Sequence, residues 1–142
     1  MKLIIKLIAV LFFLFTSVNA NENYFSKAKE LFEKEKYEDS KFLLQRSIVF
    51  NPKHSKSYLY LAKIYNIEEN EIEEKKNLNT TLLLEPDNEE ATYLLINIEL
   101  KRSNFSKVKE LKNDFESICS ALCDKLKSIS KKIDDIETKN DS

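Results

Sequence analysis

Apolar residues recur along most of the chain at the three- and four-residue spacing of amphipathic helices. Ahead of the C-terminal segment this pattern predicts six helices. The first three cover residues 24–34, 37–50 and 55–66, the fourth ends at about Leu84, the fifth covers 89–101 and the sixth begins at Phe105. The predicted N-caps of the last three are Asn70, Asp87 or Asn88, and Ser103 or Asn104. The side chains predicted to face inward include Tyr24, Ala28, Leu31, Phe32, Tyr37, Phe42, Leu44, Ile48, Leu61, Ala62, Tyr65, Ile72, Leu78 and Leu82, with Leu83 as a further candidate. Because one helix pair cannot bury its apolar face alone, the pairs are predicted to stack.

A repeat of fixed length supports this stacking. Two segments that end in proline, Ile48–Pro52 and Leu82–Pro86, are separated by a spacing of about 34 residues, and an apolar helix leads into each proline. We call this spacing the repeat period. A period of this length is typical of helix-turn-helix repeats. The fold class is therefore predicted to be all-α, built from antiparallel helix pairs.

The residues at corresponding positions resemble the tetratricopeptide repeat family. The first unit carries Tyr24, Ala28, Leu31, Tyr37, Ser40, Leu44, Ser47 and Pro52, and the second carries Tyr58, Leu61, Ala62, Tyr65, Leu78, Thr81 and Pro86, with Glu71 and Glu74 in place of the usual aromatic and small residue. A degenerate third unit offers Leu95, Ile96, Phe105 and Val108 without a closing proline. The resemblance covers residues 21–118 and implies a right-handed solenoid of about three units that binds proteins rather than catalysing a reaction.

In this family, extended peptides or helices usually bind in a groove lined by the first helix of each unit. Carried onto this sequence, the groove residues are Phe25, Lys29, Phe32, Leu59, Lys63, Asn66, Tyr93 and Asn97. Aromatic side chains would supply hydrophobic anchors, while lysine and asparagine would bind carbonyl or carboxylate oxygens. The alternative is that Phe25 and Phe32 simply pack against the neighbouring helix. Phe25 and Glu90 occupy positions where some relatives have the cations that clamp chaperone tails, which disfavours a chaperone co-factor role.

The C-terminal region has a seam of apolar residues with an average spacing of 3.5, which runs through Val108, Leu111, Phe115, Ile118, Leu122, Leu126, Ile129, Ile133 and Ile136. One interpretation is a helix, or helix pair, that caps the stack, with the capping helix over residues 119–136. The alternative is a self-association seam that makes a homo-oligomer. Residues 137–142 are polar and are predicted to form a disordered tail.

The first twenty residues have the pattern of an export signal. Lys2 and Lys6 accompany an apolar run over 7–15, and Val18 and Ala20 stand where a signal peptidase reads. A retained membrane anchor is the alternative, although a spanning helix needs about 20 apolar residues. We therefore expect a mature chain that begins at Asn21, has no stable membrane span and is periplasmic, if the source is bacterial, or secreted.

Composition excludes several functional classes. The chain has no glycine, so phosphate-binding loops and dinucleotide fingerprints are absent and no such cofactor is predicted. Without Lys2 and Lys6 the charge is about −3, with lysines interleaved among glutamates, which argues against a nucleic-acid partner. No catalytic constellation stands out, and His54 is interpreted as a solvated loop residue.

Cys119 and Cys123 are the only two cysteines. Four residues apart on a helix, their Cα atoms would be about 6 Å apart, within reach of a disulfide if the helix is strained or locally broken. Free thiols and intermolecular pairing are alternatives, and two thiols alone do not make a metal site. The leading hypothesis is a non-enzymatic scaffold or adaptor in the cell envelope, the second a self-associating structural protein, and the third a thiol-redox factor.

Overall fold

The computed structural model describes residues 23–140, with side chains through Asp135. Within that range seven helices and no strands are present: α1 (23–33), α2 (Tyr37–Phe50), α3 (Ser55–Ile67), α4 (Glu71–Leu84), α5 (Glu89–Lys101), α6 (Phe105–Ile118) and α7 (Lys125–Asn140). None of these helices is long and apolar enough to cross a membrane. The predicted export signal, the side chain of Ile136 and the last two residues lie outside the described part of the chain.

The helix boundaries follow the period read from the sequence. α2, α4 and α6 begin at Tyr37, Glu71 and Phe105, each one repeat period after the last, and α3 and α5 begin at Ser55 and Glu89 with the same separation. Of the predicted caps, Asn88 accepts a hydrogen bond from the backbone N–H of Ala91 through its side-chain oxygen at 2.9 Å. The predicted all-α helical-repeat fold is confirmed.

The turns between the two helices of each unit share one conformation, at Glu35, Glu69 and Ser103. All three residues are in the left-handed region, with φ of 58°, 56° and 55°. In each turn the backbone N–H of the next residue donates to the carbonyl five residues earlier, as from Asn70 to Tyr65 at 2.9 Å, which is a Schellman motif. The chain thus uses glutamate and serine where glycine is usual, so the absence of glycine does not remove positive φ from these turns.

The chain divides into two compact units, and the first extends through Asn70. Its core comprises Ala28, Leu44, Leu61 and Ile64, and partly buried aromatic side chains from α1, α2 and α3 pack against it. The hydroxyl of Ser40 donates to the carbonyl oxygen of Ala28 at 2.8 Å, so a small polar residue joins α2 closely to α1.

The second unit begins at Glu71 and contains α4 to α7. Its buried apolar side chains are Leu78, Ala91, Leu95, Ile96, Ile98, Val108, Leu111, Phe115, Ile129 and Ile133. The last five of these belong to the C-terminal seam. These five seam side chains on α6 and α7 therefore pack inside the chain, whereas Ile118, Leu122 and Leu126 of the seam are half-buried.

Burial confirms the repeat register. Ala28, Ala62 and Ile96 stand at successive intervals of one repeat period and are fully buried, as are Ser47, Thr81 and Phe115. Ile96, which belongs to the degenerate third repeat unit, therefore still occupies an interior position. Glu74, which stands at a position usually held by a small residue, is also buried.

Three of the predicted inward side chains are wrong: Phe42 is exposed, and Ile72 and Leu83 are each 81% exposed. Residues two apart on a helix differ by about 200° in direction. Phe42 therefore cannot share a face with the buried Leu44, and Leu83 cannot share one with Thr81. On α4 the interior stripe is formed by polar as well as apolar residues, Glu74, Asn77, Leu78 and Thr81, which leaves Ile72 outside.

The C-terminal helix also differs from its prediction over 119–136. α7 begins at Lys125, because residues 119–124 form a non-helical loop, and it continues to Asn140, into the segment predicted as a disordered tail. Residues 119–124 occupy the place that follows α6, where the first two units have their prolines. In the third repeat unit a disulfide between Cys119 and Cys123 and hydrogen bonds to Glu89 stabilise this loop instead.

Candidate functional site

A cluster of aromatic side chains and one lysine surrounds Tyr60 in the first compact unit, which extends through Asn70. The rings of Phe25 and Phe32 meet the Tyr60 ring edge-on, with centroids 5.4 and 5.2 Å away. The ammonium nitrogen of Lys63 lies 4.6 Å from the centre of the same ring. We call Phe25, Phe32, Tyr60 and Lys63 the Tyr60 cluster.

Helical spacing positions the cluster. Phe25 and Phe32 lie two turns apart on one side of α1, and Tyr60 and Lys63 lie three residues apart on α3. All four side chains are half-buried, so they pack together and still present part of their surface to solvent. The two interpretations of Phe25 and Phe32 therefore both describe part of their environment: they contact the neighbouring helix and remain accessible.

The chemistry of the cluster suits a peptide ligand. Partly exposed aromatic edges provide apolar contact, and a lysine over a ring is attracted to the negative face of the ring while its ammonium carries three N–H donors. Such a combination can bind an apolar side chain and a neighbouring carbonyl or carboxylate oxygen.

The other predicted groove residues have different environments. Lys29 is exposed and lies 3.8 Å from Glu33 in an ion pair, and Asn66 is exposed at the end of α3. Leu59 is buried, so its prediction as a groove contact is wrong, because its side chain belongs to the interior. Tyr93 and Asn97 lie on α5 in the second compact unit and are half-buried, and the Tyr93 ring is 6.1 Å from that of Phe115.

Sequence reasoning missed Tyr60, although a signal was present. Tyr60 lies three residues before Lys63, which was predicted for the groove, and such pairs share a helix face.

His54, predicted to be solvated, is instead half-buried, with its ring 4.7 Å from Phe25 and its Nδ1 2.8 Å from Ser57 Oγ.

Cys119 and Cys123 are joined by a disulfide, with Cα atoms 5.2 Å apart. The bridge closes a loop whose backbone N–H groups at Ser120, Ala121 and Leu122 point at the carboxylate of Glu89, with N···O distances of 2.6, 3.1 and 3.3 Å to one oxygen. These hydrogen bonds, above all that from Ser120, hold the pKa of Glu89 below its usual value. The loop thus forms an anion-binding nest that ties the start of α5 to the link between α6 and α7.

A second polar cluster, also missed by sequence reasoning, surrounds Glu99 on α5. Its side chain is buried, receives a short hydrogen bond from Lys75 of α4 and accepts another from Asn104 Nδ2 at 2.7 Å. Burial raises the pKa of Glu99, but the hydrogen bonds from Lys75 and Asn104 and the charges of Lys75 and Arg102 together lower it below its usual value. Both oxygens of this carboxylate accept a hydrogen bond, which is typical of a structural ion pair.

Within residues 23–140 no group of histidine, cysteine and acidic side chains is arranged to hold a metal ion.

Solved structures with a similar fold are repeat domains. The type III secretion chaperone SycD of Yersinia enterocolitica, in complex with a peptide of the translocator YopD, is similar with a TM-score of 0.70 at 13% identity, over 84% of this chain and 93% of that one. The Sgt2 TPR domain from Aspergillus fumigatus gives 0.70 at 12% identity, over 83% and 82%. The first TPR of Spaghetti (RPAP3), bound to the HSP90 peptide SRMEEVD, gives 0.68 at 12% identity, over 80% and 94%.

The chain has a tetratricopeptide-like fold. No protein-family model and no curated protein matches the sequence, so the likeness lies in the three-dimensional structure. In the repeat register of this fold, Glu99 stands one repeat period after Tyr65, at the position where an aromatic residue usually closes the first helix. A buried ion pair has replaced the aromatic ring at that point in the third unit.

Proposed function

We propose that this protein is a non-enzymatic interaction module that binds a protein or peptide partner through the Tyr60 cluster. The observation that carries the proposal is the gathering of Phe25, Phe32 and Lys63 around Tyr60 on α1 and α3, the helices that line the ligand groove in tetratricopeptide repeats. Two proteins of similar fold were solved with peptides, SycD with a YopD peptide and RPAP3 with an HSP90 peptide, which supports a peptide-binding role here.

The ligand is expected to differ from the acidic chaperone tails that some relatives clamp with several cations. Phe25 and Glu90 occupy positions of that clamp, and neither can donate a charged hydrogen bond to a terminal carboxylate. A ligand with an apolar anchor beside a single acidic or carbonyl oxygen suits the Tyr60 cluster better.

Affinity capture tests the binding site. The purified chain, the Lys63→Glu variant and the control variant Lys132→Glu would be immobilised and exposed to the same extract of the source cell. Lys132 is an exposed lysine on α7, so its variant carries an identical charge change away from the Tyr60 cluster. The wild-type chain and Lys132→Glu should retain the same partner, and Lys63→Glu should lose it through charge reversal. Equal capture by a folded Lys63→Glu variant would overturn the proposed site.

We further propose that the module acts as a scaffold or adaptor in the cell envelope. Support comes from the positively charged start, the apolar run over 7–15 and the small residues Val18 and Ala20. N-terminal sequencing of the protein purified from its source cell should read from Asn21. A retained Met1 would refute cleavage and the exported location while leaving the proposed binding site intact.

A further inference from the structure

The outer side of α2 carries an exposed aromatic and aliphatic surface centred on Arg46. Phe42, Arg46, Val49 and Phe50 share one face of the helix at spacings of four, three and one, and Tyr24 of α1 stacks on Phe50 with ring centroids 5.4 Å apart. We call these five residues the outer α2 face. Phe42, Val49 and Phe50 are 56%, 77% and 53% exposed, so most of their apolar surface is in contact with water.

Arg46 lies within cation–π distance of two rings of this face. Its guanidinium carbon lies 5.1 Å from the centre of the Tyr24 ring and 5.6 Å from that of Phe42. Contacts of this kind favour a position of the guanidinium beside the rings, and its N–H groups remain able to donate to a ligand. Among the described residues Arg46 forms no ion pair, whereas Lys34 and Lys41 of the same unit are each paired with a glutamate.

Exposed apolar side chains that lie side by side, in contrast to single scattered ones, are a feature of interaction sites. The Arg46 guanidinium indicates that a carboxylate is the complementary ligand group, because a planar guanidinium binds a carboxylate with two parallel hydrogen bonds. The apolar residues above and below Arg46 require apolar side chains on either side of that carboxylate.

We propose that the outer α2 face binds an amphipathic helix of a partner protein whose apolar stripe carries one glutamate or aspartate. The carboxylate would pair with Arg46, and leucine-like side chains one turn to either side would cover Phe42 on one flank and Val49 and Phe50 on the other. This surface is separate from the Tyr60 cluster, since Tyr24 contacts α2 whereas Phe25 contacts α3. The proposal therefore does not depend on the proposed peptide site.

Charge favours a protein helix over an anionic membrane. Glu38 and Asp39 lie exposed in the first turn of α2, where they would be repelled by anionic headgroups. The one cation of the outer α2 face is an arginine beside two rings, whereas surfaces that bind membranes by charge usually carry clusters of basic residues.

Fluorescence anisotropy with two designed helical peptides tests the proposal on the full chain as it is purified from its source cell. One peptide carries leucines at positions i, i+3 and i+7 of one face with a glutamate among them, and the other has glutamine in place of that glutamate. The wild-type chain should bind the glutamate peptide more tightly. Arg46→Gln should weaken that peptide about tenfold and leave the glutamine peptide unchanged, because only the first loses a charge-assisted bidentate pair. Arg46→Lys should recover only part of the loss.

Val49→Ser should weaken both peptides, while the control Ile72→Ser, which also removes an exposed aliphatic side chain, should weaken neither. Both positions are exposed, so neither variant is expected to perturb folding, and circular dichroism would verify this. Equal affinity of the wild-type chain and Arg46→Gln for the glutamate peptide would overturn the proposal. So would Arg46-dependent binding to phosphatidylglycerol vesicles without peptide binding, or concentration-dependent dimerisation abolished by Val49→Ser, which would assign the face to a membrane or to a second copy.

Discussion

Glu99 is a buried residue whose charge is matched by partners within the fold. It is 1% exposed, and its two oxygens are matched by Lys75 and Asn104, so no buried acceptor is left unsatisfied. A buried ion pair adds little compared with apolar packing, but removing one partner leaves the other unmatched. Stability should therefore depend on the ionisation of this side chain.

The pKa of Glu99 predicts acid sensitivity. Because the folded-state pKa lies below that of the unfolded chain, the unfolded state binds more protons in acid. The stabilisation is complete above about pH 4.3 and is lost as the pH falls from there through the folded-state pKa. Glu99→Gln should lower the free energy of unfolding at pH 7 by about 1–3 kcal/mol and flatten its acid dependence. Urea denaturation across this pH range would measure both, with the exposed Glu110→Gln as control.

Ala62 tests the repeat register at the level of one side chain. It is fully buried and stands one repeat period from the fully buried Ala28 on one side and Ile96 on the other. Ala62→Leu should lower the free energy of unfolding by about 1–3 kcal/mol, because added methyl groups overpack a closely filled site. Val49→Leu, at an exposed position, should not. An unchanged denaturation midpoint for Ala62→Leu would contradict the register.

The same register explains which residues sequence reasoning found and which it missed. Ala28, Ala62, Ser40 and Ser47 were assigned correctly because the repeat demands small residues there. Glu99 could have been found by adding one period to Tyr65, but a carboxylate gives no hydrophobic signal. Contacts such as those around Tyr60 join residues from different helices, and periodicity along one helix does not report them.

At the level of helices and turns, the glycine-free Schellman motifs carry a conformational cost. A non-glycine residue in the left-handed region is disfavoured by about 1–2 kcal/mol, and asparagine tolerates that region better than glutamate. Glu69→Asn should therefore raise the free energy of unfolding, by up to about 1 kcal/mol. Glu110→Asn, inside α6, should instead lower it by a few tenths, through helix propensity. Chemical denaturation of both variants would decide; a loss of stability in Glu69→Asn would contradict this explanation of the turn.

The loop between α6 and α7 depends on Glu89 and on the disulfide. Glu89→Ala removes the acceptor for the N–H groups of Ser120, Ala121 and Leu122, so their amide protons should exchange faster with solvent. Reduction of Cys119 and Cys123 by a dithiol should speed exchange at the same amides by releasing the loop. Hydrogen exchange followed by mass spectrometry measures both effects, with Glu116→Ala on α6 as control. Unchanged exchange in both cases would mean that the loop is held by other contacts.

Helix boundaries were largely predictable, because proline positions, caps and the repeat period all mark the same places. α7 was the exception. The apolar seam continues through residues 119–124, so periodicity alone extended the helix across them, whereas the disulfide and the Glu89 carboxylate favour a loop. The spacing of Cys119 and Cys123 allowed a disulfide with a local break in the helix but did not decide between a disulfide and free thiols. The contact with Glu89 depends on residues that folding brings together, so spacing along the chain does not report it.

For the molecule as a whole, five of the nine seam residues on which the self-association hypothesis was based pack inside the chain. Val108, Leu111, Phe115, Ile129 and Ile133 of the seam are buried within the chain. The two surfaces proposed to bind partners, the Tyr60 cluster and the outer α2 face, do not include the seam. The identity of a partner is not encoded in a repeat pattern, because repeats specify packing while ligands are recognised by a few exposed side chains.

Position-specific photocrosslinking in the source cell is the most direct test of partner binding at the Tyr60 cluster. A photoreactive residue at Asn66, exposed one turn beyond Lys63 on α3, should form an adduct with another protein, and one at the exposed Asn113 on α6 should not. Loss of the Asn66 adduct on adding Lys63→Glu would tie it to the cluster. Adducts from Asn113 alone, or from neither position, would contradict a partner site at Tyr60, and an adduct with a second copy of this chain would favour self-association instead.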